Sequence, residues 1–254
     1  MLAVRVLGCS GSYAAPGGAC TGYLIESEGS RVWLDAGPGT LSNLQRWCSL
    51  GELDALVLTH AHPDHWLELP VVANAIEWYE PRPPLPVYSN AHMFGEARQL
   101  MGDAIDAVLD WTVVDVDDAV TIGDQTWTFA ETEHYVPTFA TRIESQGSAL
   151  AFSSDTGPGF SFGPMIERDG PINLALIEST FVDRSKHEGV QHLAAGEAGA
   201  MAAAANVERL VLTHLAPKED SAAHLSAARG EFDGDVALAE VGALYAAPRN
   251  SPTT

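Results

Sequence analysis

Three imidazoles and a carboxylate fall within six residues, His60-Ala61-His62-Pro63-Asp64-His65. The apolar run Ala55 to Leu58 reads as a short buried strand and leads straight into Thr59-His60. Alternate side chains of an extended segment point the same way, so His60 and His62 can grip one metal together. Asp64 and His65 lie past a proline that suits a first helical turn, and can turn to a second metal. Imidazole with carboxylate suits zinc, and also iron or manganese. Two ions need more ligands than this. The other candidates sit where predicted strands end: His134 after Trp127 to Glu131, Asp155 after Ala149 to Ser153, and His214 after Arg209 to Thr213. Singly, each is ordinary, since an Asp after a strand is usually a turn former. Together, at four strand ends, they exceed what chance supplies.

The elements that must position these groups alternate along the chain. Leu2 to Leu7 reads as a first strand, and Gly22 to Ser27 with Arg31 to Asp35 as a hairpin around Glu28-Gly29. A helix follows through Leu41, Leu44 and Trp47. Another starts near Pro63 and runs towards Trp78, and Pro81 to Pro86 reads as a stiff loop. Val87 to Tyr88, Trp111 to Val116, Phe139 to Glu144, Ile172 to Ile177 and a segment near Val236 read as further strands. Met93 to Met101, Ala194 to Ala205 and Ala222 to Arg229 read as helices. Strands open each half and helices follow, which suits a β-sandwich with helices outside. No repeat or linker interrupts this order, so residues 1–254 are expected to form one domain. Trp66, Trp78, Tyr79 and Phe94 fall at helical spacing, which favours core positions over a pocket wall.

Composition limits the partners. Hydrophobic residues make up 46%, which excludes a disordered chain. No apolar run approaches the roughly 20 residues that span a bilayer. Cys9, Cys20 and Cys48 are odd in number and lack paired-ligand spacing, so neither a disulfide framework nor a Cys-based zinc site is expected. A cytoplasmic, reducing setting follows as the default. With 34 acids against 13 bases the net charge is −21, which repels a long nucleic acid. A small anion remains compatible, because bound metal ions would dominate the local field.

The histidine run with His134, Asp155 and His214 resembles the metallo-β-lactamase superfamily over nearly the whole chain. The resemblance implies an α/β fold, a four-layer αββα sandwich. It implies His60, His62 and His134 on one divalent metal, Asp64, His65 and His214 on the other, and Asp155 bridging. Zinc is the first expectation, with manganese or iron as alternatives. Asp35 resembles the family's aspartate beneath the site. Four segments, His134 to Ile143, Ser154-Asp155-Thr156-Gly157, Leu176 to Phe181 and His192 to Gly199, are similar to the RNase Z-like phosphodiesterase branch. The spacing and the ending Leu210 to Pro217 are closest to bacterial atypical class II cyclic-nucleotide phosphodiesterases. The departures (Ser154 and Ala140 where glycine is common, Ser179 for alanine) touch backbone fit rather than ligands.

That resemblance implies a dinuclear metal-dependent hydrolase. A hydroxide shared by two metals would attack a small phosphodiester such as a 3′,5′-cyclic nucleotide. Asp64, His192 and Glu178 are the implied catalytic residues, with His192 protonating the leaving group and Glu178 holding its imidazole. His187 is a rival in a charged, solvated loop. His92 reads as a neighbour of a helix cap, and His224 as structural or exposed. Tyr135 and Phe160 are the aromatics placed to touch substrate. Two alternatives stay open: an RNase Z-type endoribonuclease acting at the tRNA 3′ end, and a lactonase or thioesterase on the same metals. Such folds often pair as homodimers, and no dimer face is legible in the chain.

Overall fold

In a computed structural model, which describes residues 1–249, two seven-stranded sheets face each other. The first holds β1 (Ala3–Gly8), β2 (Gly22–Glu26), β3 (Arg31–Leu34), β4 (Ala55–Leu58), β5 (Leu85–Ser89) and β6 (Leu109–Val113) in that spatial order. The last strand, β14 (Leu244–Ala246), lies beside β1. The second holds β7 (Ala119–Ile122), β8 (Gln125–Glu131), β9 (Phe139–Ser145), β10 (Ser148–Phe152), β11 (Leu174–Glu178), β12 (Arg209–Thr213) and β13 (Asp235–Leu238). Each half begins with antiparallel hairpins and ends in parallel strands. Parallel neighbours need crossovers, and the helices supply most of them. They are α1 (Thr40–Leu44), α2 (Pro63–Trp66), α3 (Leu69–Trp78), α4 (Ala91–Met101), α5 (Gly163–Asp169), α6 (Ala195–Ala204) and α7 (Ser221–Arg229).

Strand alternation divides the apolar side chains into three layers. Val4, Val6, Ile25 and Val57 of the first sheet meet Trp127, Ile143, Leu150 and Phe152 of the second. The opposite face of the first sheet packs Leu24, Trp33 and Leu56 beneath Val72 and Ile76 of α3 and Met93 of α4. The opposite face of the second packs Ala175, Ile177 and Leu212 against Met165, Ala198 and Ala228 of α5, α6 and α7. The result is the expected αββα sandwich. Strands covered on both faces read as continuous apolar runs rather than alternating ones, and β4, β10 and β11 are buried throughout.

Polar groups also tie the sheets. The Tyr23 hydroxyl meets Thr213 Oγ1 at 2.6 Å between them. Beside the β7–β8 turn, the Asp124 carboxylate accepts from Ser27 and, at 3.0 Å, from Ser30, both in the β2–β3 turn. It also accepts from Ser145 at 3.1 Å.

Three local expectations change. The helix from Pro63 does not run through to Trp78: it breaks at Leu67-Glu68. Pro70 near the start of α3 lacks an N–H and its ring excludes the carbonyl four residues back. The freed backbone pairs instead with Ala36, through His65 O at 2.6 Å and Glu68 N–H at 2.9 Å. Pro86 belongs to β5 rather than to a loop. Leu85 N–H points towards β6 and bonds Val108 O, so position 86 faces β4, whose pairing starts only at Val87. Trp78 and Tyr79 are not core, being 68% and 78% exposed, whereas Trp66 is buried and Phe94 packs on Trp111. The short strands β7 and β14 and the helix α5 lack the run length or periodicity that marks the others. Among the described residues no helix is long and apolar enough to cross a membrane.

Candidate metal centre

The carboxyl ends of the parallel strands all open towards one end of the sandwich, where ligands bind in open α/β sheets. Asp35 follows β3, His60 follows β4, Asp155 follows β10, Thr180 follows β11 and His214 follows β12. Asp35, Ser154 and His214 hold φ of 56°, 52° and 53°, and Ser12 holds 61°. Non-glycine residues in this left-handed region carry strain that surrounding structure must impose. Here it turns each chain sharply off its strand and into the site.

Asp155 is buried and its two oxygens face different partners. Oδ2 lies 3.6 Å from His60 Nε2 and 3.7 Å from His134 Nε2. Oδ1 lies 3.2 Å from His65 Nε2 and 3.3 Å from His214 Nε2. His62 Nδ1 sits 3.0 Å from His134 Nε2. Asp64 Oδ2 lies 3.2 Å from His214 Nε2 and 3.7 Å from His65 Nε2. Two groups result, His60, His62, His134 and Asp155, then Asp64, His65 and His214, with donor atoms in each within 4.8 Å. Thus all seven predicted ligands converge. The buried atoms His60 Nε2, His65 Nε2 and Asp155 Oδ1 have no hydrogen-bond partner among the described residues. Orphaned polar atoms this deep are costly, and a cation held by each of the two groups would satisfy them.

The far nitrogens are already engaged, which fixes ring orientation and leaves Nε2 for a metal. His65 Nδ1 donates to Asp35 Oδ2 at 2.7 Å. Asp35 also accepts from the Thr59 N–H and hydroxyl at 2.9 Å. Thr59 Oγ1 lies 3.1 Å from His60 Nδ1 and accepts from Ser154 at 2.9 Å. His134 Nδ1 donates to Gln191 O at 3.1 Å, and His214 Nδ1 to Thr180 Oγ1 at 2.9 Å. His62 is the exception and presents Nδ1 itself. Asp35 therefore stands beneath the site as expected. Spacing gave no sign of Thr59, Ser154, Thr180 or the backbone N–H of Ser12, which donates to Asp64 Oδ2 at 2.7 Å.

Charge states follow from these contacts. Burial pushes His60 and His62 below their usual range and His134 down to about 4. Neutral imidazoles of this kind are the form that binds metal. Burial alone would raise Asp64 and Asp155, yet neighbouring histidines (His65 for Asp64, His214 and His65 for Asp155) hold both well below the carboxylate range. Burial opposes charge on His65 too, but Asp155, Asp35 and Asp64 outweigh it and lift its pKa.

His192 stands beside these groups, stacked on His214 at 5.3 Å. Its Nδ1 donates to Glu178 Oε1 at 2.8 Å. Burial works against its charge, but Glu178 raises its pKa to about 9. A third triple of donors, Asp155, His192 and His214, meets the same spacing. With His192 Nδ1 committed to Glu178, only its Nε2 is free, and a proton donor needs that atom. Glu178 is fully buried and also accepts from the Thr156, Thr180 and Leu193 N–H groups and the Thr180 hydroxyl.

The remaining expectations divide. His92 stays on the surface near Glu96, beside the helix cap Asn90. His224 is buried, 2.8 Å from Ser179 Oγ. His187 is not a freely solvated rival, since it stacks on Phe181 at 3.6 Å. Tyr135 lies next to His134 with its ring largely exposed and its hydroxyl accepting from Gln191 N–H. Phe160 packs on Phe162 and lines a separate groove of about 570 Å³ with Glu133 and Arg168.

Two facing sheets with a histidine–aspartate cluster at the ends of their parallel strands define a metallo-hydrolase. A family model described as Beta-lactamase superfamily domain matches residues 30–215. An uncharacterized protein of Mycobacterium tuberculosis is 32% identical over 248 residues, covering 92% of this chain and 88% of that one. The probable metallo-hydrolase YhfI of Bacillus subtilis is 27% identical over 246 residues, covering 95% and 98%. The YhfI crystal structure matches with a TM-score of 0.88 over 97% of this chain and 100% of that one. A ribonuclease Z of Methanopyrus kandleri is 28% identical over 252 residues, covering 86% and 88%. The chain belongs to the beta-lactamase superfamily.

Proposed function

We propose that the protein is a two-metal phosphodiesterase acting on a small phosphodiester, a 3′,5′-cyclic nucleotide in the first place. The observation that carries this reading is the Glu178–His192 pair, set 2.8 Å apart beside two groups of metal-binding side chains. His60, His62 and His134 would hold one divalent ion and Asp64, His65 and His214 the other, with Asp155 between them. Two such ions, zinc first and manganese or iron as alternatives, supply an activated nucleophile and positive charge for the phosphoryl oxygens. Asp64, held by Ser12 N–H, keeps one carboxylate oxygen facing His65 and His214 and can take the proton of the attacking water. When the P–O bond breaks, its electrons pass to the leaving alkoxide, and His192 Nε2 gives that oxygen a proton. Glu178 stabilises the imidazolium beforehand and fixes its orientation.

Charge supports a small substrate. Of the cations, Arg5, Arg31, Arg98, Arg142, Arg168, Arg184 and Arg209 sit in ion pairs with carboxylates. Against a net charge of −21, this leaves little to attract a long polyanion. The ribonuclease Z relative favours a second reading, cleavage of a tRNA precursor, which requires salt-sensitive RNA binding. The three cysteines are free, and we place the protein in the cytoplasm. The test is turnover of cyclic AMP by zinc-loaded protein, abolished in Asp64→Ala. Failure to cleave any phosphodiester, bis(p-nitrophenyl) phosphate included, overturns the reading. Pre-tRNA binding that weakens with salt favours the second.

A further inference from the structure

Thr180 lies in the Leu176 to Phe181 segment, and the proposed chemistry gives it no role. It is buried just past the end of β11. Its hydroxyl lies 2.7 Å from Glu178 Oε2, 2.9 Å from His214 Nδ1 and 3.3 Å from His192 Nδ1. The donor count settles the directions. A carboxylate only accepts, so the Thr180 O–H donates to Glu178. The lone pairs of Thr180 Oγ1 then accept from His214 Nδ1–H. That leaves His214 Nε2 as the ring nitrogen that faces Asp64 and Asp155, 3.2 and 3.3 Å away. The same carboxylate holds His192 directly through its other oxygen. It also anchors the turn after Asp155, through Thr156 N–H at 2.9 Å.

We propose that Thr180 is a positioning residue that ties His214 to the carboxylate holding His192, so that metal affinity at His214 and the orientation of His192 depend on one shared anchor. The inference rests on His214 being a metal ligand. Among the described residues, the other hydrogen bonds of the Glu178 carboxylate come from the backbone or from His192, which makes the Thr180 hydroxyl its side-chain route to a ligand. Asp35 does the equivalent work for His65 with no intermediate. The two histidines of this metal group are thus held by unlike devices, a direct carboxylate and a hydroxyl relay.

Zinc affinity, measured by competition with a chromophoric chelator, tests this without reference to activity. Loss of a group that orients a metal-ligating histidine costs roughly 10–100-fold in affinity. Thr180→Val keeps the shape and removes the hydroxyl, and it should lose that much for one of two ions. Thr180→Ser should return to within about threefold of wild type. Glu178→Gln should weaken the same ion. The double variant should be no weaker than the worse single one, because both changes cut one path. Unchanged affinity in Thr180→Val, or losses that multiply in the double variant, overturns the inference. If Thr180→Val does not fold, nitrogen-15 NMR of metal-free wild type decides: His214 must carry a proton on Nδ1, and a ring protonated on Nε2 alone overturns the relay. A wild type that binds no zinc refutes the metal-site reading itself. Two bound zinc ions with an indifferent Thr180→Val refute the relay alone.

Discussion

Removing the His192 imidazole separates acid catalysis from everything else the site does. In His192→Ala the buried Glu178 keeps four donors: the Thr156, Thr180 and Leu193 N–H groups and the Thr180 hydroxyl. Losing one partner of a buried carboxylate that stays bonded elsewhere costs about 1–3 kcal/mol of stability, so the variant folds. His192 is absent from the two groups proposed to hold the metals, so zinc content should stay at the wild-type value. A positioned general acid contributes roughly 10²–10⁴-fold, which corresponds to about 3–5 kcal/mol of barrier. That loss should appear only where the leaving group needs a proton. The ribose alkoxide of cyclic AMP needs one, whereas p-nitrophenolate departs without help. The assay is kcat/KM for cyclic AMP and for bis(p-nitrophenyl) phosphate, with wild type and His192→Ala both zinc-loaded. Cyclic AMP turnover should fall by about 10²–10⁴-fold, and p-nitrophenyl ester turnover by less than about tenfold. Equal losses on both substrates would refute the acid role and leave His192 in binding. No loss on either would remove His192 from the reaction altogether.

Three further outcomes follow from the geometry. Asp35→Ala frees the His65 ring and removes the acceptor of Thr59, so zinc affinity should drop about 10–100-fold by chelator competition. Gly11→Ala would place a Cβ 2.6 Å from His214 Nδ1 and 2.7 Å from His214 O, so the His214 backbone and the loop must move; zinc binding should weaken and the melting temperature should fall. Burial of Asp124 raises its pKa, but hydrogen bonds from Ser27, Ser30 and Ser145 outweigh that and lower it. Its contribution is therefore present above the unfolded carboxylate range, near pH ~3.9, and is lost as pH falls through the lower folded value. Asp124→Asn should flatten the decline of urea stability on acidification, and an unchanged slope would exclude this lock.

The histidine run was legible because His60, His62, Asp64 and His65 are contiguous and follow a recognisable buried strand. His134, Asp155 and His214 were readable only as a set, each meaningful because the others also end strands. The hydroxyls were not legible. Thr59, Ser154 and Thr180 lie at strand ends where any small polar residue fits, and their role depends on which nitrogen of a distant ring faces them. In the fold, period and run length located the longer strands, and burial on both faces hid the alternation. The break at Leu67-Glu68 escaped notice because the apolar pattern continues across it, while the decisive partner, Ala36, comes from a different strand end. Trp78 and Tyr79 have core composition but lie exposed at the C-terminal end of α3.

Residues of both halves meet at each end of the seam between the two sheets, and the two meetings differ in kind. At the closed end, Asp124 of one half grips Ser27 and Ser30 of the other. At the open end, His60 and His62 come from the first half and His134 and Asp155 from the second. Neither half alone carries that set of four. An ion seated there would act as a rivet between two leaves of the chain, and it could be loaded only after those leaves had met. Whatever binds the folded form stabilises it by mass action. Stripping the metal should therefore loosen the mouth of the sandwich first, while the hydrogen-bonded base still holds the leaves together.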